Sequence, residues 1–335
     1  MSTSIAIYGL ITLLLIRMAM RMRAARIFLF LSLLTIVLAE GYSFKAGEQS
    51  SQDGTPEYAY YSNEIGSQTA SDRFYGAIAS DDMGWRINAS SAESWNSRGL
   101  ALANQGRYEE SINAWDEAIR IDPQFSDAWY NKGLALYLLG DCQEAIKAFD
   151  EAIRINPQYA LAWNNKGLAL VNLGRYQEAI VALDKAIRIN PQLAIALGNK
   201  GVALYYLGRY QEAIDAYDEA IKINPQYADA WNNKGNALFN LGRYQEAIDA
   251  YDEALRINPQ YAGAWTGKGN TLDNLGRYQE AIDAYDEAIR INPQFALAWS
   301  NKGNTLHNLG RYQEAINACD EAIRINPQDA LVRLG

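Results

Sequence analysis

The chain has 335 residues and a formal net charge of −9, with 49% hydrophobic and 21% charged residues, a normal balance for a folded protein. The charge is uneven: Arg17, Arg21, Arg23 and Arg26 are the only charged groups among residues 1–39, which leaves −13 on residues 40–335. A surface that acidic repels phosphate backbones, which argues against nucleic acid as a partner.

Two apolar runs, residues 5–16 and 27–39, flank the arginine cluster. Each is shorter than the ~20 residues that a membrane helix needs. The second run follows a basic region and ends in Val37-Leu38-Ala39, small residues of the kind a signal peptidase cuts after. Residues 1–39 therefore read as a hydrophobic leader, either a signal peptide or an uncleaved membrane anchor, with a buried or interfacial helix as a third reading. Met18, Met20 and Met22 offer alternative starts. The first two readings place residues 40–335 outside the cytoplasm, secreted or membrane-anchored.

Residues 40–91 are rich in Ser, Gly, Asp and Tyr and hold no helical period, so they read as a flexible linker with at most a short helix near Arg73 to Ala79. Asn88-Ala89-Ser90 is an N-glycosylation acceptor triplet, meaningful only outside the cytoplasm.

From Ala92 the sequence repeats every 34 residues. Trp95, Trp129, Trp163, Trp231, Trp265 and Trp299 keep the spacing, with Leu197 in the remaining place; so do Pro123, Pro157, Pro191, Pro225, Pro259, Pro293 and Pro327. Trp, Gly, Ala, aromatic and Pro at fixed offsets in a 34-residue period resemble the tetratricopeptide-repeat family, here with the WNNKGNAL, LGRYQEAI and INPQ wording of its prokaryotic and archaeal members. The resemblance covers residues 92–329 as seven repeats: 92–125, 126–159, 160–193, 194–227, 228–261, 262–295 and 296–329, with 330–335 as a short tail. It implies an all-α fold, a right-handed superhelical α-solenoid of helix-turn-helix units.

In the fifth repeat, helix A is expected from about Ala228 to Leu241 with Trp231, Gly235, Leu238 and Leu241 on one face. Gly242 ends it, because glycine reaches the left-handed conformation without steric penalty. Helix B is expected from about Tyr244 to Ile257, with Ala247, Ile248, Tyr251, Ala254 and Leu255 along its apolar stripe, and Pro259 stops it. Small residues at Gly235, Ala247 and Ala254 let the helices approach, with Trp231 and Tyr251 filling the gaps. One hairpin cannot bury such a stripe alone, so each repeat leans on the next. Two departures from the family pattern stand out. Lysine replaces leucine three places after the Trp (Lys132 through Lys302), its stem covering apolar surface while the amine reaches water, and leucine replaces tyrosine at Leu102 through Leu306.

No catalytic chemistry is expected. Asp218-Glu219, Asp252-Glu253 and Asp286-Glu287 recur at one helix B offset and read as a solvated face. His307 is the sole histidine and has no companions for a metal site or a triad. Every glycine of the repeats sits at a repeat-defined turn or helix contact, so no phosphate loop and no cofactor is implied. Cys142 and Cys319 fall in repeats two and seven, too far apart in a solenoid for a disulfide.

The family resemblance implies a protein or peptide ligand on the concave face lined by helix A. Two places after the Trp stand Asn131, Asn165, Asn199, Asn233 and Asn301, interrupted by Ser97 and Gly267; five places after it, Asn236, Asn270 and Asn304 succeed Leu100, Leu134, Leu168 and Val202. Three places further come Tyr137, Val171, Tyr205, Phe239, Asp273 and His307. The amide row looks like the asparagine ladder of the O-linked N-acetylglucosamine transferase's repeat domain, which holds the backbone of an extended peptide. An amide carries both a donor and an acceptor, so it can pair a peptide group whatever the side chain. Asn131, Asn165, Asn199, Asn233, Asn301, Asn236, Asn270 and Asn304, with Tyr137, Tyr205 and Phe239, are therefore the candidate peptide-binding residues. A carboxylate clamp of the chaperone-binding kind is not expected, because the neighbouring positions hold Asn164, Gly198, Asn232, Thr266, Leu161, Ile195 and Asp229 rather than Lys or Arg. The alternative is a structural protein of the envelope that self-associates. The last repeat, with Ile316, Cys319 and Ile323 partly uncovered after Pro327, is the expected contact for a weak homo-oligomer, most simply a symmetric pair.

Overall fold

The structure is a computed structural model and describes residues 91–327. The leader, the linker with Asn88 and the tail lie outside the described residues. Within them are fourteen helices and no strand. In chain order they are α1 (Ala92–Ala103), α2 (Tyr108–Ile121), α3 (Ser126–Leu138), α4 (Cys142–Ile155), α5 (Ala160–Asn172), α6 (Tyr176–Ile189) and α7 (Ala194–Tyr206). They continue as α8 (Tyr210–Ile223), α9 (Ala228–Asn240), α10 (Tyr244–Ile257), α11 (Ala262–Asn274), α12 (Tyr278–Ile291), α13 (Ala296–Asn308) and α14 (Tyr312–Ile325). Odd-numbered helices are the A helices and even-numbered ones the B helices. Each packs on its chain neighbours, and successive A helices also touch, the arrangement of a tetratricopeptide solenoid.

The turn between A and B is the same in every repeat. In the fifth, the Gly242 N–H donates to Phe239 O at 2.9 Å and the Arg243 N–H to Leu238 O at 2.9 Å, the paired closure of a Schellman motif. Gly242 has φ +72°, and its six counterparts lie between +71° and +86°. Helix B then opens without a Ser, Thr or Asp cap. Arg243 instead forks onto Glu246 in the first turn, Nε to Oε1 at 2.8 Å and Nη2 to Oε2 at 2.6 Å, and that hydrogen bond holds the Glu246 carboxyl below the usual carboxylate range. The acid also sits at the helix N-terminus, where the backbone dipole favours negative charge. At the far end Asn258 Oδ1 accepts from the Gln260 N–H at 3.1 Å and shapes the turn through Pro259.

The hairpin interior follows the small-against-large expectation. A Cβ added at Gly235 would stand 2.7 Å from Tyr251 Cε1, and one at Gly201 would stand 2.4 Å from Tyr217 Cε1, so each glycine is the socket for an aromatic ring. Ala247, Ala254, Leu238 and Tyr251 are buried, as expected.

Two expectations need correction. Leu241 is the helix cap rather than part of the core and is 42% exposed, because the Schellman turn swings its side chain outward. Trp231 does not fill the gap beside Gly235. It lies half-exposed at the start of α9, where its indole Nε1–H donates to Pro225 O of the preceding turn at 3.3 Å.

Candidate functional site

The lysine that departs from the family pattern joins neighbouring repeats. Lys234 Nζ lies 5.3 Å from the centroid of the Trp231 ring and 2.6 Å from Asp218 Oδ1 on α8 of the preceding repeat. The same lysine–aspartate bridge, at 2.5 to 2.8 Å, forms at Lys132, Lys166, Lys200, Lys268 and Lys302. The first residue of each acid pair is thus the partner of the next repeat's lysine. The second pairs with an arginine three residues on in several repeats, Glu253 with Arg256 and Glu287 with Arg290 among them. The acid pairs form charge-paired seams, not a row of lone carboxylates.

The amides of helix A are also engaged between repeats. Asn131 is buried, and its Nδ2 donates to Asn96 Oδ1 at 3.0 Å. Asn165 Nδ2 donates to the Tyr130 hydroxyl at 3.0 Å, and Asn199 Nδ2 donates to Asn164 Oδ1 at 3.0 Å. In each case the residue two places after one Trp position (Leu197 in the case of Asn199) reaches the residue one place after the previous Trp, a step of 35 residues. Gly198 and Gly267 interrupt this stitching: Gly198 offers Asn233 no acceptor, and Gly267 offers the buried Asn232 Oδ1 no donor.

The candidate residues therefore divide. Asn131 and Asn199 are enclosed, with Asn199 only 1% exposed, and their amide N–H groups are used within the array. Asn270 Oδ1 accepts from the Tyr285 hydroxyl at 2.8 Å and from Asn301 Nδ2 at 2.8 Å. Asn236 Oδ1 accepts from the Tyr251 hydroxyl at 2.7 Å, while its amide N–H groups have no partner among the described residues. Asn233 Oδ1 accepts from Asn232 Nδ2 at 3.2 Å, and its own N–H groups likewise stay unengaged among the described residues. Asn304 and His307 are exposed on α13. Tyr137 accepts from Asn172 Nδ2 at 2.8 Å, and burial pushes its hydroxyl pKa up to about 12. Tyr205 accepts from Asn240 Nδ2 at 2.9 Å and meets Tyr210 edge-on at 5.3 Å. Phe239 is half-buried beside Tyr244, with 5.6 Å between ring centroids.

One cluster escaped the reading of the sequence. Tyr227, at the end of the fourth repeat, places its hydroxyl where a Gly198 side chain would stand, 2.9 Å from the ideal Cβ position. Tyr261, one repeat later, donates to Asp229 Oδ1 at 2.9 Å. Burial raises the Asp229 carboxyl above its usual range, and the Tyr261 hydrogen bond partly offsets this. The available signal was the tyrosine two places after Pro157, Pro225 and Pro259, coinciding with the glycine gap at Gly198.

These helix hairpins define an all-α repeat scaffold. The family profile described as tetratricopeptide repeat matches residues 96–160, 139–194, 199–262 and 266–330, and the chain belongs to that family. No curated protein matches the chain. Among solved structures, the APC/C hetero-tetramer Cut9-Hcn1 aligns over 76% of this chain and 49% of that one, with TM-score 0.60 and 20% identity. This chain therefore spans about half the length of that relative. A tetratricopeptide repeat protein from Parabacteroides merdae aligns over 70% and 93% of the two chains (TM-score 0.59, 16% identity). Pseudomonas aeruginosa pilF aligns over 62% and 94% (TM-score 0.55, 18% identity). At these identities the likeness is one of fold. Proteins of this family are in general scaffolds for protein–protein interaction.

Proposed function

We propose that the chain is a non-enzymatic scaffold that binds an extended protein segment along the inner faces of α9, α11 and α13. The observation that carries this reading is that Asn233 and Asn236, on one face of α9, keep unengaged amide N–H groups at half-buried positions. Donors held in place by their own acceptor contacts suit the carbonyls of a peptide backbone. Asp229 and Asp273 on the same helices favour a neutral or basic segment over an acidic one. The test is a peptide selected from a random display library on the full chain, with affinity measured by fluorescence anisotropy. Changing Asn233 and Asn236 together to Ala should weaken binding several-fold, at ~0.5–1.5 kcal/mol per hydrogen bond. Asn199→Ala should instead lower stability with little effect on affinity. Equal affinity in the double variant, with helicity intact, would overturn the reading.

The leader's arginines and apolar run support a second proposal, that residues 40–335 act outside the cytoplasm, secreted or held at the membrane. None of the described helices is long and apolar enough to cross a membrane. Protease added to intact cells should then degrade the repeats while sparing a cytosolic marker.

A further inference from the structure

Each interior junction of the array has two halves. The B helix contributes an isoleucine or leucine pair and an aspartate; the next A helix contributes a small residue, a leucine and a lysine, which stands over the Trp except at Lys200, where Leu197 takes the ring's place. Ile248 clusters with Leu272 and Ile282 with Leu306, and the two isoleucines are 5% and 3% exposed. Beside each contact runs a lysine–aspartate bridge.

The two ends of the described array carry one half each. On α14, Ile316 is 54% exposed and Ile323 39%, and Asp320 makes no ion pair among the described residues. On α1, Ser94, Ala101 and Leu102 are partly exposed, where Ala264, Thr271 and Leu272 at the same offsets are buried. Arg98 takes the lysine's place. It lies 5.0 Å from the Trp95 ring centroid and forms no ion pair among the described residues, although Glu110, already bridged to Arg107, feels its charge. The end faces are thus complementary in shape class and charge: an apolar ridge with an aspartate, and an apolar shelf with an arginine.

We infer that the array stacks head to tail on a second copy of this chain, α14 of one copy against α1 of the next, with Ile316 on Leu102 and Asp320 paired to Arg98. The contact is heterologous, so it links copies in series rather than closing a symmetric pair. It is independent of the peptide-binding reading.

The experiment is sedimentation of the full chain in density-matched non-ionic detergent over a wide concentration range. The average mass should climb continuously without a plateau at two copies. Arg98→Asp and Asp320→Arg should each raise the concentration for half-assembly roughly five-fold or more, the factor equivalent to about 1 kcal/mol. The two changes in one chain re-create an opposite pair and should restore assembly. Ile316→Lys should abolish it. All three substituted positions are exposed, and circular dichroism verifies that the helices remain. A single mass at every concentration, a plateau at two copies, or association indifferent to both charges would each overturn the inference. So would failure of the double variant to recover.

Discussion

A methyl group added at Gly201 would press on the ring of Tyr217, which is buried and cannot swing away. At Gly208 nothing stands within 4 Å, and the obstacle is φ +72° alone. The two glycines serve different ends, close packing and backbone handedness, and should respond differently to alanine. Overpacking a filled core costs about 1–3 kcal/mol, offset in a helix by the ~1 kcal/mol by which alanine outranks glycine. A left-handed alanine costs about 1–2 kcal/mol, offset by ~0.4–1 kcal/mol of lost unfolded-chain freedom. Gly201→Ala should therefore be the more damaging change, and urea unfolding of both variants measures the order; the reverse order would refute the socket. The recurring glycine offsets made both roles legible in the sequence. The inward amides were not, because Asn131 and Asn165 recur with the repeat whether they face a ligand or a neighbouring helix. Their partners lie 35 residues back, one off the period, and only the packing of successive A helices brings those atoms together.

At the scale of the helix, boundaries were readable because glycine and proline act locally: α10 spans Tyr244–Ile257 as the pattern requires, and α9 ends one residue short of Leu241. The junction chemistry was not readable, since Lys234 and Asp218 belong to different repeats and nothing in either segment names the other. Trp231, Lys234 and Asp218 make one unit: the indole is fixed to Pro225, the ammonium rests on its face, and the aspartate closes the seam. The ion pair is half open to water, with Asp218 at 50% side-chain exposure, so its own contribution is modest, ~0.2–1 kcal/mol, and weakens with salt. A double-mutant cycle of Lys234→Met and Asp218→Asn should give a coupling energy within that range. Trp231→Ala removes the indole hydrogen bond and the lysine's platform together and should cost about 1–3 kcal/mol. A Trp231 variant no weaker than the lysine variant would contradict the hierarchy.

Over the whole array, burial is greatest in the middle. The largest continuous cluster of buried residues runs from Cys142 on α4 to Ala264 on α11, tying five repeats into one core. On α14 only Ala315, Ala318 and Ala322 are buried, and Cys319 stands where the central repeats place a tyrosine. Because each repeat is held by its own hairpin contacts and two junctions, a repeat with one junction opens at lower free energy. Backbone amides of α13 and α14 should accordingly exchange with deuterium faster than those of α7 to α10, by orders of magnitude in rate. Position in the array, rather than local helix sequence, sets this order, since α10 and α14 differ only at the three positions Asn317, Cys319 and Ile323. Head-to-tail stacking adds a second junction to the terminal repeats, so their protection should rise with protein concentration while that of α7 to α10 stays constant. Mass-spectrometric exchange at two concentrations measures both effects. Uniform protection along the array would contradict the junction account, and terminal protection that ignores concentration would count against stacking.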